Sequence, residues 1–210
     1  MLKKKRLFFL LLSGIMLVLQ TTAQDVSSKK THFQGYSGGM MYHTGYLSGG
    51  AVDISSHETV KLQGAPSGIG GLLRFHFGKH FRIGGEGYNS TLHYGKNNSY
   101  ATLSWGGLLL DSPWAINKFT VFFGGTIGGG SVKNITVVNN RPIRPIEKEA
   151  IYRKYSVMIA DPFIGMEYAI NRRMHLITKI DCLFDMTGKQ SDFATGPRVY
   201  LGIVFFHGKK

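Results

Sequence analysis

Seven charged residues stand inside otherwise apolar, alternating segments of this 210-residue chain: Arg74, Arg82, Glu86, Glu167, Lys179, Asp181 and Asp185. An ionised group taken out of water must be paired or hydrated, since an isolated charge in an apolar setting costs more than a fold can offset. Two chemistries suit such a set. Opposite charges can saturate one another and act as a structural plug, or a chain of half-satisfied groups can pass ions or protons. The plug is preferred, because buried ions are kept only with partners. The simplest pairing is within hairpins, where Arg74 falls within diagonal cross-strand reach of Glu86, and Glu167 within that of Lys179.

Nucleophilic chemistry has weaker support. A hydrolase needs a nucleophile with a base in hydrogen-bond reach. Ser90 and His93 are three apart, so on a strand they face opposite sides. Ser56 and His57 adjoin Asp53 and Glu58 in a polar stretch, a mixture that any loop supplies. No triad is complete. Cys182 is the only cysteine, so no disulfide forms within the chain and no thiolate metal set exists. No cofactor is expected. "GGTIGGG" lacks the Lys-Ser/Thr ending and following helix of a phosphate loop. The most charged stretch is "NNRPIRPIEKEAIYRKY", Asn139 to Tyr155, whose Arg141, Arg144, Lys148, Arg153 and Lys154 are candidate contacts for an anionic surface such as lipopolysaccharide phosphate.

The elements that must carry these groups read as strands. In "MHLITKIDCLFDM", Met174 to Met186, every second residue is apolar or small while the others hold the charges. The same alternation, separated by turn signals, gives eight segments: 33–47, 68–77, 81–94, 100–110, 119–129, 163–170, 174–186 and 198–206. Ile69, Leu73, Phe75 and Phe77 oppose Arg74 and His76; Ala101, Leu103, Trp105 and Leu109 oppose Thr102 and Ser104; Val199, Leu201, Ile203 and Phe205 oppose Arg198 and Tyr200. Connections alternate in length. Gly78–His80, Asp111–Lys118 and Asn171–Arg173 are short. Ser48–Ser67, Gly95–Ser99, Gly130–Pro162 and Thr187–Pro197 are polar, and all but the second are long. That is the rhythm of consecutive antiparallel strands turning at opposite ends of one sheet. An even strand number puts both termini at the short-turn end.

Residues 1–23 have the anatomy of a cleaved secretory signal: Lys3 to Arg6, an apolar run from Leu7 to Leu19, and small residues at Thr21 and Ala23. Residues 24–32 form a short lead, and 33–210 the barrel. Four of the 25 Lys and Arg lie in the signal, which leaves 21 against 12 Asp and Glu. A basic exported protein suits an anionic surface. No helix-turn-helix, zinc-finger or RNP pattern points to nucleic acid.

Alternation alone does not say which face is wet. A soluble barrel is apolar inside, and a membrane barrel is apolar outside. Several segments approach the 9–11 residues of a tilted membrane strand. Phe75, Phe77, Phe81, Trp114, Phe119, Phe205 and Phe206 gather near the short turns, as in an interfacial girdle. "GIGGLLRFHFGKHFRIGGEGY", "PFIGMEYAINRRMHLITKID" and "RVYLGIVFFHGKK" resemble small bacterial outer-membrane β-barrel proteins of the OmpA/OmpX type, and the signal resembles those of Bacteroidetes. The resemblance implies an eight-stranded antiparallel up-and-down transmembrane barrel in the bacterial outer membrane, with a structural or interactive role. It also implies contact with outer-membrane lipid or lipopolysaccharide, with the barrel-assembly machinery and with an extracellular protein partner. Phe206 is followed by His-Gly-Lys-Lys, where this family usually ends on an aromatic. Some small barrels modify lipids, but the His-x-Ser strand motif of lipid A deacylase barrels is absent. The alternatives are a lipid-modifying hydrolase or acyltransferase, and a soluble periplasmic barrel holding a small apolar ligand.

Overall fold

The computed structural model describes residues 32–55, 58–95, 99–138, 149–188 and 193–208. The signal and most of the lead, Ser56, His57, Arg141, Arg144 and Lys148 lie outside the described residues. Eleven strands follow in chain order: β1 (Phe33–Gly45), β2 (Leu47–Ser55), β3 (Glu58–Gly64), β4 (Pro66–Phe77), β5 (Phe81–Tyr94), β6 (Ser99–Ile116), β7 (Phe119–Val138), β8 (Glu149–Ala169), β9 (Met174–Cys182), β10 (Phe184–Asp185) and β11 (Pro197–Gly208). Among the described residues no helix is long and apolar enough to cross a membrane.

Hydrogen-bonded neighbours run β1, β4, β5, β6, β7, β8, β9, β11 and back to β1. Eight strands thus close on themselves with no free edge, which satisfies every ladder internally. The fold is an all-β antiparallel up-and-down barrel. β10 prolongs β9 along β8. β2 and β3 prolong β1 and β4 as a separate hairpin.

Phe77 to Phe81, Ile116 to Phe119 and Ala169 to Met174 turn tightly at one end. Asn117 adopts φ 57° there, a left-handed conformation that Asn tolerates better than most residues. Gly35 pairs with Gly208 at the same end, so both chain ends of the barrel lie there.

Three expectations need correction. The connection expected at Asp111–Lys118 is mostly strand: β6 continues to Ile116, leaving a two-residue turn at Asn117 and Lys118. The loop expected at Ser48–Ser67 contains the β2–β3 hairpin. The loop expected at Gly130–Pro162 is largely strand as well, with β7 reaching Val138 and β8 starting at Glu149. Pro113 and Pro162, which fall in those expected connections, sit within ladders opposite Phe122 and Gly125. Proline keeps its carbonyl acceptor and extended φ, so it is tolerated where its absent N–H is not needed.

The faces are inverted relative to a soluble barrel. Leu201 is 58% exposed, Ile127 58% and Ile180 50%, whereas Arg74 is 0% and Lys179 1% exposed. An apolar exterior around a charged interior is the arrangement of a membrane-spanning barrel. It is the reverse of what a soluble barrel with an apolar cavity requires. One strand departs from the expected facing. In β6 Ala101, Trp105 and Leu109 point inward, and Leu108, Leu110, Trp114 and Ile116 form its outer face. Inside, large aromatics lie over glycines: a Cβ on Gly70 would strike the Tyr88 ring, and one on Gly165 the Phe122 ring. The narrow interior is filled by such matching of large and small residues.

Candidate functional site

Two ion clusters occupy the interior. In the cluster near the short turns, Arg74 on β4 donates from Nη1 to Asp111 Oδ2 at 3.1 Å and from Nη2 to Glu167 Oε1 at 2.5 Å. Arg82 on β5 donates from Nε to Asp111 Oδ1 and from Nη1 to Glu167 Oε1 at 2.9 Å. Two guanidiniums and two carboxylates therefore close a cycle of charge-assisted bonds, each guanidinium bridging both carboxylates. His175 Nδ1 approaches Glu167 Oε2 at 3.4 Å. The Phe122 ring lies 5.3 Å from the Arg74 guanidinium and 5.0 Å from that of Arg82, a cation–π platform.

In the second cluster Lys179 on β9 donates to both oxygens of Glu86, at 3.1 and 2.9 Å. Its Nζ also lies 3.7 Å from Asp161 and 3.5 Å from Asp181. Arg198 on β11 donates from Nε to Asp181 at 2.8 Å and from Nη2 to Asp161 at 3.1 Å. Thr126 and Tyr88 hydroxyls donate to the Glu86 carboxylate at 2.6 and 3.2 Å. Tyr200, Phe163 and Tyr88 surround Lys179 with ring centres 4.5, 4.8 and 5.1 Å from Nζ.

Six of the seven charges singled out from sequence meet in these clusters: Arg74, Arg82, Glu86, Glu167, Lys179 and Asp181. Asp185 does not. Its Oδ1 accepts from the Thr187 N–H and hydroxyl at 2.8 and 2.6 Å, tying down the chain beyond β10. The expected hairpin pairs are also exchanged. Arg74 bonds Glu167, 93 positions away, and Lys179 bonds Glu86, again 93 away. Registers explain the exchange: Glu86 stands opposite Leu72 and Glu167 opposite Ile177, so the hairpin partners are only diagonal. Long side chains in a narrow barrel instead reach across the interior, where the acceptor geometry is better. Asp111, Asp161 and Arg198 complete the network and were missed. The two aspartates fell in segments read as loops. Arg198 was placed on the polar face of its strand, and that signal was sufficient to include it.

Four buried cations thus meet five buried carboxylates among the described residues: Arg74, Arg82, Lys179 and Arg198 against Glu86, Asp111, Asp161, Glu167 and Asp181. Their donors and acceptors are largely consumed by one another, as in a plug. Thr195 pairs with Ser48 and donates its hydroxyl to Leu183 O at 2.5 Å, while Phe193 packs on the main core.

Other candidate chemistry falls elsewhere. Ser90 is buried and His93 exposed, on opposite faces of β5. Ser37 Oγ does lie 2.8 Å from His76 Nε2, near the short turns. The His76 ring meets Phe206 edge-on, and among the described residues no carboxylate hydrogen bond orients it. Cys182 Sγ sits 3.8 Å from the Thr195 hydroxyl. Among the described residues no group of three or more His, Cys, Asp or Glu is placed to hold a metal ion. Of the expected loop contacts, Arg153 and Lys154 lie exposed on β8.

No protein-family model matches this sequence, and neither does any curated protein sequence. Solved structures do match. Neisserial surface protein A superposes with a TM-score of 0.56 at 9% identity, over 84% of this chain and 99% of that one. Ail, the attachment invasion locus protein of Yersinia pestis, gives 0.52 at 12% identity, over 83% of this chain and 99% of that one. The fold is that of the small outer-membrane β-barrels. At these identities the likeness concerns fold. Ail was solved in complex with the heparin analogue sucrose octasulfate.

Proposed function

We propose that this protein is a bacterial outer-membrane anchor, exported by cleavage after Ala23, whose rigid barrel presents long hairpins and their loops at the cell surface. The observation that carries this reading is the pairing of a filled interior with strands that outrun the apolar belt. β7 and β8 stay in register from Gly130 opposite Val157 to Val138 opposite Glu149, well beyond the exposed aliphatic side chains of Ile127 and Met158, with Tyr152 the exposed aromatic further out among the described residues. A solute pathway would need the interior that the ion clusters occupy. A presented hairpin needs only stiffness, and a continued ladder supplies it. The basic stretch of sequence between β7 and β8, with Arg141, Arg144 and Lys148, together with Arg153 and Lys154, suits an anionic partner: lipopolysaccharide phosphate or a sulfated glycan. The sulfated ligand in the structure of Ail, a barrel of similar fold, supports an anionic partner.

Two measurements test the proposal. Outer membranes are isolated and the protein is run on gels with and without boiling. Membrane recovery with a heat-dependent mobility shift is expected, and extraction without detergent would sink the membrane anchor. Binding of fluorescent heparin to purified barrel is then compared with the Arg141→Ser/Arg144→Ser/Lys148→Ser variant. Loss of binding with an intact mobility shift is expected. Equal binding would remove these three residues from the interaction.

A further inference from the structure

The two ion clusters differ in their balance. Near the short turns Arg74 and Arg82 face Asp111 and Glu167, two cations against two carboxylates. In the other cluster Lys179 and Arg198 face Glu86, Asp161 and Asp181, two against three among the described residues. All three of those carboxylate side chains are 0% exposed. One buried negative charge is therefore in surplus, and a fold does not keep such a charge without compensation.

The spare oxygens show where the compensation belongs. Arg198 takes Oδ1 of both aspartates, at 2.8 Å for Asp181 and 3.1 Å for Asp161. Lys179 spends its short bonds on Glu86. Asp161 Oδ2 and Asp181 Oδ2 are left over, 3.7 and 3.5 Å from the same Lys179 Nζ, and neither accepts a hydrogen bond among the described residues. The two carboxyl groups nevertheless lie in hydrogen-bond contact with each other. Ionised carboxylates only accept, so a bond between them requires a proton on one. Two carboxylates that share a site do not both ionise.

His43 on β1 is the rival seat for this proton. Its ring lies 4.8 Å from that of Tyr200 and 5.7 Å from that of Tyr88, and neither ring nitrogen has a partner among the described residues. An imidazolium donates from both nitrogens. A proton there would create two unmet donors, whereas between the aspartates it removes two unmet acceptors. The other groups around the pair offer no better place. Glu86 on β5 already accepts from Lys179, Thr126 and Tyr88, and Asp185 on β10 turns to Thr187. Tyr88 and Tyr200 carry their protons as neutral phenols.

We infer that Asp161 and Asp181 hold a single proton between them at neutral pH, and that this proton latches β8 to β9. The register between the two sides of that seam ends at Phe163 opposite Asp181 and resumes at Ala160 opposite Phe184. Pro162, in the interval, has no N–H to give. The carboxyl–carboxylate bond ties the strands together across the interruption and leaves the cluster neutral. The proton belongs to the pair and to neither residue alone. In the unfolded chain both aspartates ionise at neutral pH. Folding therefore takes up one proton, so this contribution to stability is lost as pH rises, by about tenfold in the folding equilibrium per pH unit while the pair stays protonated.

The test uses the full-length mature protein, each variant first checked for its heat-dependent gel shift. Infrared spectra in an ester-free detergent at neutral pH should show the C=O stretch of a protonated carboxylic acid, shifted in heavy water. Asp161→Asn should abolish that band, because the amide supplies the missing donor and no proton is needed. Asp181→Asn should do the same and serves if the first variant does not fold. Asp185→Asn should keep the band. A wild-type spectrum without it, or a band that survives either pair variant, would overturn the proton site. Urea unfolding in vesicles between about pH 6 and 8 reads the latch. The wild-type folding equilibrium should weaken about tenfold per pH unit more steeply than that of Asp161→Asn. Parallel pH profiles would overturn the latch.

Discussion

Replacing Glu167 with glutamine removes the carboxylate charge that faces two guanidiniums. Arg74 reaches it at 2.5 Å and Arg82 at 2.9 Å, and Glu167 is only 4% exposed. After the change Asp111 alone remains to balance both cations. Breaking a buried pair by removing one partner costs about 3–5 kcal/mol, since a charge is left without compensation. That corresponds to about two to three and a half decades in the folding equilibrium. Adding Arg74→Met removes the surplus cation and leaves Arg82 with Asp111. The double variant is therefore more stable than Glu167→Gln alone, although both changes delete native contacts. Reversible urea unfolding in lipid vesicles, followed by tryptophan fluorescence, reads these differences. The same cycles distinguish cross-barrel from hairpin pairing. Arg74 with Glu167 and Lys179 with Glu86 should each couple by about 1–3 kcal/mol, whereas Lys179 with Glu167 should be additive within about 0.5 kcal/mol. A Glu167→Gln variant within about 0.5 kcal/mol of wild type, or a double variant less stable than the single, would refute the closed cycle of ion pairs.

Other perturbations follow from the same geometry. Ile127→Arg, in the middle of the exposed belt, should cost about 2–4 kcal/mol in vesicles, whereas Lys133→Ser beyond the belt should leave urea stability unchanged. Asn117→Ala should cost about 1 kcal/mol, because Asn117 holds a left-handed φ that a Cβ-bearing residue without a short polar side chain adopts poorly; Asn117→Gly should match or exceed wild type in the same assay. Gly165→Val should prevent the gel shift of a folded barrel, because its Cβ would enter the Phe122 ring beneath both arginines. Planar bilayers carrying the wild-type barrel should show no steady conductance, and open-channel steps would contradict a filled interior.

Strand type and facing were largely legible, because period-two alternation is a local property that survives without partners. The opening of β9 illustrates this: Leu176 and Ile180 are exposed while Lys179 and Asp181 are buried, as their alternation implies. Strand ends were less legible. Pro113 and Pro162 carry the local signature of a break, yet each sits in a ladder whose neighbours supply the remaining bonds. Asp111 and Asp161 were lost with those ends. Facing failed in β6, where Trp105 and Leu109 read as an outer apolar face. They point inward because Arg198 stacks on the Trp105 ring 5.3 Å away and the barrel needs apolar volume between its ion clusters. Partner choice in the network was invisible to local reasoning, since it depends on closure and on the reach of side chains across the interior.

The apolar belt by itself cannot tell one registration of these strands from another two residues away. Sliding any strand by two keeps leucines and isoleucines facing lipid and leaves the backbone ladder intact. Only a one-residue slip is punished by the belt, because it turns every side chain over. The charges remove that ambiguity. A slip of two between β9 and β11 would carry Arg198 from Asp181 to Lys179 and set ammonium against guanidinium with Asp161 shared between them. The interior thus holds the information that the exterior lacks. The belt says that a strand belongs in the membrane, and nine buried charges say at what height and beside which neighbours it comes to rest.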